Sequence, residues 1–586
     1  MREGAVERLA LGRRPHPRHQ SVGNAALLVL VDSGGAYWER SIVDETVLVV
    51  LEHLGMPYRL LDLAAERPSV PLLQGCAAIL VAQNGVAASL TACEAGLIAE
   101  AVSGGAGLVN LDCDVRHLPG ALRAVFGFSG VNPHPCATDV LRIRETHHWI
   151  TGLQDPGEYH RSGRMVTAAL VEEWGPQSAV LVEGMLGREQ LVYIRHLAPG
   201  SAFEPRNVPL VFAARWGQGK AVQFGLNLRL WHAAFLGHAR GLDDLLWRSL
   251  LWTARKPFAT NTVPPFVALS FDDCQGRHDF QYARIAAQHG FVPMPSLLLD
   301  RVPERLFPVV REGLASGTLR FGAHALDYYR LLVYDFGRGE LDTPELERRF
   351  SRHDAFWAHI GALPGPTLRL HWGEYGRRAL PFLKARGYRY FCPALQTGLH
   401  KADMCLQDGF WPYGLQTCYY DYLPDDPDFF ALAAMQARGH EDFLTGCTTY
   451  LRESERNDLE KAAQSAAAQI RHGLRAAFHA EIVTHEQKLD ALSMAEWDQI
   501  LGRVDQLSAG IERIHAGHDE IGAYLQGKDG VWIQAVQACG ARLSCTLCGQ
   551  SAVPLRLSVW RDEGEAVVRE YVEVTAFAGE TAVEVG

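Results

Sequence analysis

The spacing of apolar residues along the chain changes character twice, and each change predicts a different kind of structure. Between residues 25 and 258, short apolar runs of strand length, such as 26–31 and 78–81, alternate with segments of helical spacing, such as 42–54. Apolar strands that alternate with helices predict a parallel sheet covered on both faces. The stretch 210–220 differs, because a turn containing glycine between two apolar segments predicts a hairpin.

A linker that contains prolines, residues 256–265, separates this region from a second alternating one. After residue 528, three segments alternate apolar and polar residues with a period of two, which predicts short strands and a small C-terminal β-rich domain. Residues 1–24 carry arginines and prolines, and we expect a loose basic tail there. The sequence therefore predicts an α/β multidomain protein with domains at 25–258, 262–527 and 528–586.

Length and charge narrow the classes of function. A chain of 586 residues exceeds the usual size of one hydrophobic core, so two or three domains are expected. The formal net charge of −11 argues against nucleic acid or an anionic membrane as the main partner, because both bind a basic face. The early apolar run at 25–31 is too short for a membrane span or a signal peptide. The 12 scattered cysteines suit buried thiols, so we expect a cytoplasmic protein, and a homo-oligomer is left open.

Three segments of the first domain carry a family resemblance. They are a glycine-rich turn and strand at 104–109, the segment 148–153 and the turn at 216–220. This region resembles the glutamine-amidotransferase-like (ThuA-like) superfamily, which implies a flavodoxin-like, class I amidotransferase-like α/β sandwich. An active amidotransferase needs a cysteine on a tight elbow, and Cys113 lacks the flanking glycines. We expect Cys113 to be an ordinary buried or loop residue, and the domain to be structural or substrate-binding.

The strongest chemical signal is a pair of adjacent carboxylates, Asp272 and Asp273, at the end of the apolar run 266–271. Adjacent side chains at a strand end point in different directions, so one could bind a metal while the other acts as a base. A purely structural role, as the N-cap of the next helix, is the alternative. Three later apolar runs end at His324, His371 and His485. This ordered set favours an active site at the carboxyl ends of barrel strands.

The same ordered set resembles the polysaccharide deacetylases, the NodB homology or carbohydrate esterase family 4 group, over about residues 264–506. The segment 270–274 matches the first motif of that family, with Cys274 in place of its glycine, and 369–373 keeps the arginine and glycine of the third. The resemblance implies a distorted (β/α) barrel with the following roles: Asp272 as general base, Asp273 and His324 as metal ligands, Arg369 as the residue that orients Asp272, and His485 as general acid.

The chain departs from the family at the second motif, because Tyr328 stands where the family has its second histidine. A hydrolytic zinc site usually keeps three protein ligands and an open position for water, so a third ligand is required. His371, Asp327 and Tyr328 are candidates, and we favour His371, which stands where the family has an apolar proline. His479 and His278 are weaker candidates. The expected cofactor is a divalent metal, zinc first, with cobalt and nickel as alternatives.

Aromatic residues indicate where a substrate would lie. Tyr328 and Trp372 flank the predicted site, and Trp411 and Tyr413 lie in a loop-like stretch that also contains prolines. Such aromatic side chains could stack on sugar rings, although ordinary packing of a long insertion explains them equally well.

The expected function is that of a metal-dependent hydrolase of non-peptide C–N bonds, a deacetylase that removes an acetyl or other acyl group from an N-acylated sugar, oligosaccharide or glycan. Two alternatives stay open: a catalytically silent carbohydrate-binding module of the same fold, and an amidase on a small non-sugar substrate. A glycoside hydrolase fits less well, because it needs two carboxylates several ångströms apart, whereas Asp272 and Asp273 are adjacent.

Overall fold

The computed structural model describes residues 19–36, 38–132, 136–186, 206–232, 235–238, 241–335, 339–371, 374–392, 396–397, 420–422, 426, 428–432, 442–448 and 457–586. The chain divides into two compact units. Val263–Gln526 forms the first, here called the central unit. His16–Thr262 and Gly527–Gly586 together form the second, here called the discontinuous unit.

The discontinuous unit begins with a series of strands and helices that follow the predicted alternation. Its strands up to the linker are β1 (Leu27–Val31), β2 (Tyr58–Asp62), β3 (Ala78–Val81), β4 (Gly107–Asn110), β5 (Phe128–Val131), β6 (Cys136–Ile143), β7 (Tyr159–Ala168), β8 (Val171–Trp174), β9 (Ser178–Leu186), β10 (Arg206–Trp216), β11 (Gly219–Phe224) and β12 (Phe258–Thr260). Its α-helices are α1 (Arg40–Val43), α2 (Val49–His53), α3 (Val70–Gln74), α4 (Val86–Ser89), α5 (Ala92–Ser103), α6 (Gly120–Phe126) and α7 (Asp243–Thr253).

A nine-stranded sheet with the order β2-β1-β3-β4-β11-β10-β9-β6-β7 organises this part of the unit. The strands from β2 to β11 in that order are parallel, and those from β11 to β7 pair antiparallel. Every residue of β1, β3 and β4 is buried, as expected for strands covered on both faces. The predicted hairpin is present as β10 and β11. The prediction of an α/β protein with a large parallel sheet is confirmed, and the flavodoxin-like detail stays a prediction.

The segment predicted as one helix at 42–54 contains a π-helical stretch, Asp44–Leu48, between α1 and α2. The hydroxyl of Thr46 donates to the carbonyl of Ile42 at 2.5 Å. The Thr46 carbonyl lies 3.1 Å from Nε2 of the buried His238. These side-chain contacts compete with the regular backbone bonds, and a long-range partner such as His238 leaves no signal in the local spacing.

The central unit carries the motifs. Its strands are β13 (Phe266–Cys274), β14 (Met294–Leu298), β15 (Gly322–Ala325), β16 (Tyr334–Asp335), β17 (Gly339–Glu340), β18 (Thr367–Arg369), β19 (Glu374–Tyr375), β20 (Tyr390–Cys392), β21 (Gln396–Thr397), β22 (Tyr420–Tyr422), β23 (Phe430–Leu432), β24 (Ala480–His485) and β25 (Ile514–His515). Its α-helices are α8 (Gln281–Gln288), α9 (Phe307–Ser316), α10 (Thr343–Ile360), α11 (Leu380–Lys384), α12 (Leu459–Arg475), α13 (Glu486–Leu489), α14 (Met494–Leu507) and α15 (His518–Asp529), whose last three residues belong to the discontinuous unit.

Parallel pairing brings the motif-bearing strand ends of the central unit together. One sheet has the order β15-β14-β13-β24, with β25 also beside β13, and a second has the order β18-β20-β23-β22. Large side chains such as Phe271, Trp357 and Trp497 fill the core against these strands. The described strands pair as separate sheets, so the distorted barrel stays a prediction. Among the described residues, each helix is too short or too polar to cross a membrane.

The C-terminal residues return to the discontinuous unit and form the predicted strands, β26 (Val531–Cys539), β27 (Arg542–Ser551), β28 (Leu555–Glu563), β29 (Ala566–Val574) and β30 (Phe577–Val585). They build two sheets, β26-β27-β30 and β12-β28-β29. Part of the expected loose tail is ordered, because Ser21 donates to the Ile533 carbonyl at 2.6 Å and Val22 bridges to Ala535. The predicted domain boundaries stay a prediction.

Replacing Ser493 with alanine removes the N-cap of α14. The Ser493 hydroxyl accepts from the Glu496 N–H, and the Glu496 carboxylate accepts from the Ser493 N–H. We expect Ser493→Ala to lower the free energy of unfolding by about 1 kcal/mol, measured by thermal or denaturant unfolding. Ser493→Asp keeps an acceptor and serves as the control. Equal stability of the alanine variant and the wild type would contradict this role.

Candidate active site

Two β-bulges place the candidate metal ligands Asp273 and His324 at the end of the central sheet. Between Phe271 and Cys274 the register of β13 against β14 shifts by an extra residue, and Asp273 adopts a left-handed backbone conformation with φ of 57°. A second shift in the pairing of β14 with β15 falls at His324. Bulges redirect side chains next to active sites, and aspartate tolerates the left-handed conformation better than most residues.

Asp273, His324 and His371 converge at these strand ends. Asp273 Oδ1 lies 3.1 Å from His371 Nδ1 and 3.5 Å from His324 Nε2, and the two ring nitrogens are 2.8 Å apart. Ligands about 2.1 Å from a tetrahedral zinc ion lie roughly 3.4 Å from one another, so this spacing fits a metal. Asp273 Oδ1 is buried without a well-directed hydrogen bond, which also suits a ligand atom. The donor set, two imidazoles and a carboxylate, matches a catalytic zinc site.

The protonation states of this group also suit metal binding. Burial raises the pKa of Asp273, but the rings of His324 and His371 outweigh burial and hold that pKa well below its ordinary value. Burial lowers the pKa of His371, against the opposing effect of Asp273, so its ring is neutral at neutral pH. The carbonyl of Arg369 accepts from His324 Nδ1 at 2.8 Å, which leaves the lone pair of Nε2 directed toward Asp273.

Arg369 also organises the predicted general base. Its Nε donates to Asp272 Oδ1 at 2.5 Å, and its Nη1 donates to Glu481 Oε1 at 2.6 Å. Burial raises the pKa of Asp272, but the charge of Arg369, which also donates a hydrogen bond to it, brings that pKa below its ordinary value. Asp272 is therefore an oriented carboxylate at neutral pH, as a general base must be.

A second cluster lies behind Arg369 and consists of the buried residues Glu481, His518 and Cys392. His518 Nε2 lies 3.0 Å from Glu481 Oε1, and the Ser270 hydroxyl donates to the same oxygen. Ligand atoms of this cluster are close enough for a metal, but the Arg369 guanidinium already lies against Glu481 and, at 3.5 Å, against Cys392. Burial raises the pKa of the Cys392 thiol, which disfavours the thiolate a metal needs. The cluster therefore surrounds and holds the Arg369 side chain.

His485 lies at the end of β24, where its register partner on β13 is Asp272. Its Nδ1 is 2.9 Å from Asp442 Oδ2, and its backbone N–H donates to the same oxygen at 2.8 Å. Burial lowers the pKa of His485, but Asp442 and Asp272 raise it above its ordinary value. The ring is part-exposed and held in one orientation, so it can donate a proton at the site.

Other sequence candidates have separate partners. Asp327 is hydrogen-bonded to Arg330 at 2.7 Å, and His278 lies 3.5 Å from Asp490. His479 is fully buried, and burial lowers its pKa to about 3. The Tyr328 hydroxyl lies 3.1 Å from the side-chain amide of Gln275. These four residues do not belong to the cluster of Asp273, His324 and His371.

Three predicted substrate-binding aromatics, Trp372, Trp411 and Tyr413, lie outside the described residues. Cys113 is buried, and burial raises the pKa of its thiol to about 12, as expected for a residue that is not a nucleophile.

Sequence reasoning missed the supporting residues Glu481, Asp442 and Gln487. Gln487 donates to Asp273 Oδ2 at 2.7 Å. Glu481 is a charged residue inside the apolar run 476–483, and this position could have identified it, because a buried carboxylate requires a partner. Asp442 and Gln487 had no comparable signal.

Comparison with known proteins finds similarity at the level of structure. No protein-family model matches the chain, and no curated protein matches it. A crystal structure of Agd3, described as a novel carbohydrate deacetylase, covers 96% of this chain and 99% of its own with a TM-score of 0.53 at 11% identity. A family 4 carbohydrate esterase from Streptomyces lividans in complex with acetate covers 45% of this chain and 96% of its own, with a TM-score of 0.25 and 10% identity.

A ThuA-like protein from Parabacteroides merdae covers 41% of this chain and 93% of its own, with a TM-score of 0.28 and 16% identity. Structural neighbours thus include carbohydrate deacetylases and a ThuA-like protein, the two groups that the sequence motifs resemble. At 11% identity, the similarity to Agd3 shows a shared fold over nearly the whole chain.

Replacing Glu481 with glutamine would leave the buried Arg369 with one carboxylate partner instead of two. Removing one member of a buried ion pair leaves a charge poorly compensated, so we expect the free energy of unfolding to fall by about 3 kcal/mol in denaturant titrations. Glu460→Gln is the matched control, because it removes an exposed carboxylate that pairs with Arg503 at 2.8 Å. A loss no larger than that of the control would contradict the role of Glu481.

Proposed function

We propose that this protein is a metal-dependent deacylase that hydrolyses the amide bond of an N-acylated carbohydrate. The observation that carries the proposal is the convergence of Asp273, His324 and His371, with Asp272 and His485 opposite each other on adjacent strands. A metal-ligand group, a carboxylate base and a histidine acid are the parts that hydrolysis of an unactivated amide needs.

Asp273, His324 and His371 would hold the divalent ion, zinc in the first place and cobalt or nickel as alternatives. When bound, such an ion polarises a carbonyl oxygen and lowers the pKa of a bound water. His371 would supply the third ligand that Tyr328 does not.

Two side chains would carry out the proton transfers of the reaction. Asp272, fixed by Arg369, takes the proton of the attacking water. His485, charged and held by Asp442, donates a proton to the departing nitrogen, so the products are a free amine and a short carboxylate. General acid–base catalysis of this kind contributes about 10²- to 10⁴-fold to the rate.

The shared fold supports the choice of substrate class. The fold shared with a carbohydrate deacetylase favours an N-acetylated sugar, oligosaccharide or glycan, and a closed (β/α) barrel is part of the same proposal. The silent binding module is less favoured, because His371 offers the metal group its third ligand.

The first experiment measures metal per chain by mass spectrometry and acetate released from N-acetylated chitooligosaccharides. We expect about one zinc, cobalt or nickel ion per chain in the wild type, lost in Asp273→Ala and His371→Ala together with at least a 10²-fold fall in acetate release. His278→Ala is the control, since it removes a histidine outside the cluster and should retain metal and activity. A wild type without metal or acetate release would overturn the proposal.

The pH dependence tests the role of His485. Because the pKa of His485 is raised, the charged acid is present at low pH, and activity should fall as pH rises through that pKa. Asp442→Asn removes the charge that raises it, so the alkaline limb of the kcat profile should move to lower pH.

Asp505→Asn is the control for this profile. Asp505 raises the pKa of His289 by a hydrogen bond, but this pair is separate from the predicted site. An alkaline limb that stays in place in Asp442→Asn, or moves equally in Asp505→Asn, would exclude His485 as the general acid.

A further inference from the structure

A buried carboxylate fixes the backbone of the loop that follows Asp273. Glu486 is the first residue of the short helix α13 and is fully buried. Its carboxylate accepts three backbone N–H bonds, from Gln275 at 2.6 Å, Gly276 at 3.1 Å and Arg277 at 2.9 Å. Hydrogen bonds from N–H groups to a charged acceptor are stronger than neutral ones, so this contact holds the loop firmly.

The same loop contains several residues in the left-handed backbone conformation. The φ angles are 57° at Asp273, 51° at His278, 51° at Asp279 and 58° at Phe280. This conformation is unfavourable for residues that carry a side chain, and it persists only where surrounding contacts impose it. The backbone around Asp273 therefore depends on outside contacts such as those of Glu486.

Gln487, the next residue of α13, contacts the side chain of Asp273 itself. Its Nε2 donates to Asp273 Oδ2 at 2.7 Å. Oδ1 of the same carboxylate lies 3.1 Å from His371 Nδ1 and 3.5 Å from His324 Nε2. The amide thus occupies one carboxylate oxygen, and the other is directed at the two histidines. A hydrogen bond of this kind fixes the rotation of a metal-binding carboxylate.

Packing alone does not explain an amide at position 487. Gln487 Oε1 is buried and has no hydrogen-bond partner among the described residues. A buried acceptor without a donor lowers stability, and an apolar side chain of similar size would avoid this loss. The reverse orientation of the amide would place Oε1 against the charged carboxylate of Asp273. Only the observed orientation lets Gln487 bind Asp273, and it leaves Oε1 without a partner.

We propose that Gln487 is a positioning residue, which holds Asp273 Oδ2 so that Oδ1 is the oxygen offered to the metal. This inference rests on the proposed function and adds a residue to it. His485, Glu486 and Gln487 are consecutive. The predicted acid, the residue that holds the loop and the residue that orients a metal ligand therefore occupy one short segment at the end of β24.

The test is the zinc affinity of Gln487→Met, measured on the full chain by competition with a zinc-binding dye. Methionine resembles glutamine in length and helix propensity but donates no hydrogen bond. We expect the dissociation constant for zinc to rise about 10- to 100-fold, the usual effect of removing a residue that orients a metal ligand. Gln487→Ala should shift the constant in the same direction, and it replaces Gln487→Met if that variant does not fold.

Two controls separate orientation of Asp273 from general effects. Gln464→Met removes the same kind of bond, since the Gln464 amide donates to the Glu460 carboxylate at 2.9 Å on the exposed side of α12. Ser493→Ala removes the cap of α14 and lowers stability without removing a contact of Asp273. Both variants should bind zinc as the wild type does.

The outcomes distinguish this inference from the proposed function. Zinc binding that stays at the wild-type level in Gln487→Met and Gln487→Ala overturns the inference and leaves the proposed function in place. An equal loss of zinc affinity in Ser493→Ala also overturns it, because the loss would then follow stability. A wild type that binds neither zinc, cobalt nor nickel overturns both.

Discussion

The buried guanidinium of Arg369 is the contact on which the rest of the central unit depends. Its side chain lies between Asp272 and Glu481, and its backbone carbonyl fixes the ring of His324. Removing a charge from water costs several kcal/mol, and two carboxylates offset that cost here. One residue therefore links the predicted base, a predicted metal ligand and the core, so the geometry of the site and the stability of the sheet depend on the same ion pairs.

The positions of the main strands, and the convergence of three candidate metal ligands, could be predicted from sequence, because both leave local signals. Asp273, His324 and His371 each follow an apolar run, and parallel strands bring their carboxyl ends to one edge. The bulges at Asp273 and His324 could not be predicted in the same way. A bulge depends on how two distant strands fit together, and the spacing within either strand does not record that fit.

Residues that act through long-range partners account for most of what the sequence could not predict. Asp442 contacts His485 from more than forty residues away along the chain, and His238 contacts the carbonyl of Thr46 inside the π-helical stretch. Tyr328 and Tyr329 are adjacent and chemically identical, so the sequence cannot distinguish them. In the structure Tyr328 packs against the core and Tyr329 is exposed to solvent. Local pattern thus predicts which residues can do chemistry, and the tertiary contacts decide which of them are oriented for it.

The split construction of the discontinuous unit has a consequence for how the chain folds during synthesis. Phe258 in β12 pairs with Trp560, and the Asn261 side chain donates to the carbonyl of Val531. Those partners leave the ribosome only after the whole of Val263–Gln526 has been made. Domains fold as their residues become available. The central unit can therefore reach its native state first, while the sheet that holds β12 waits for the synthesis of β28 and β29.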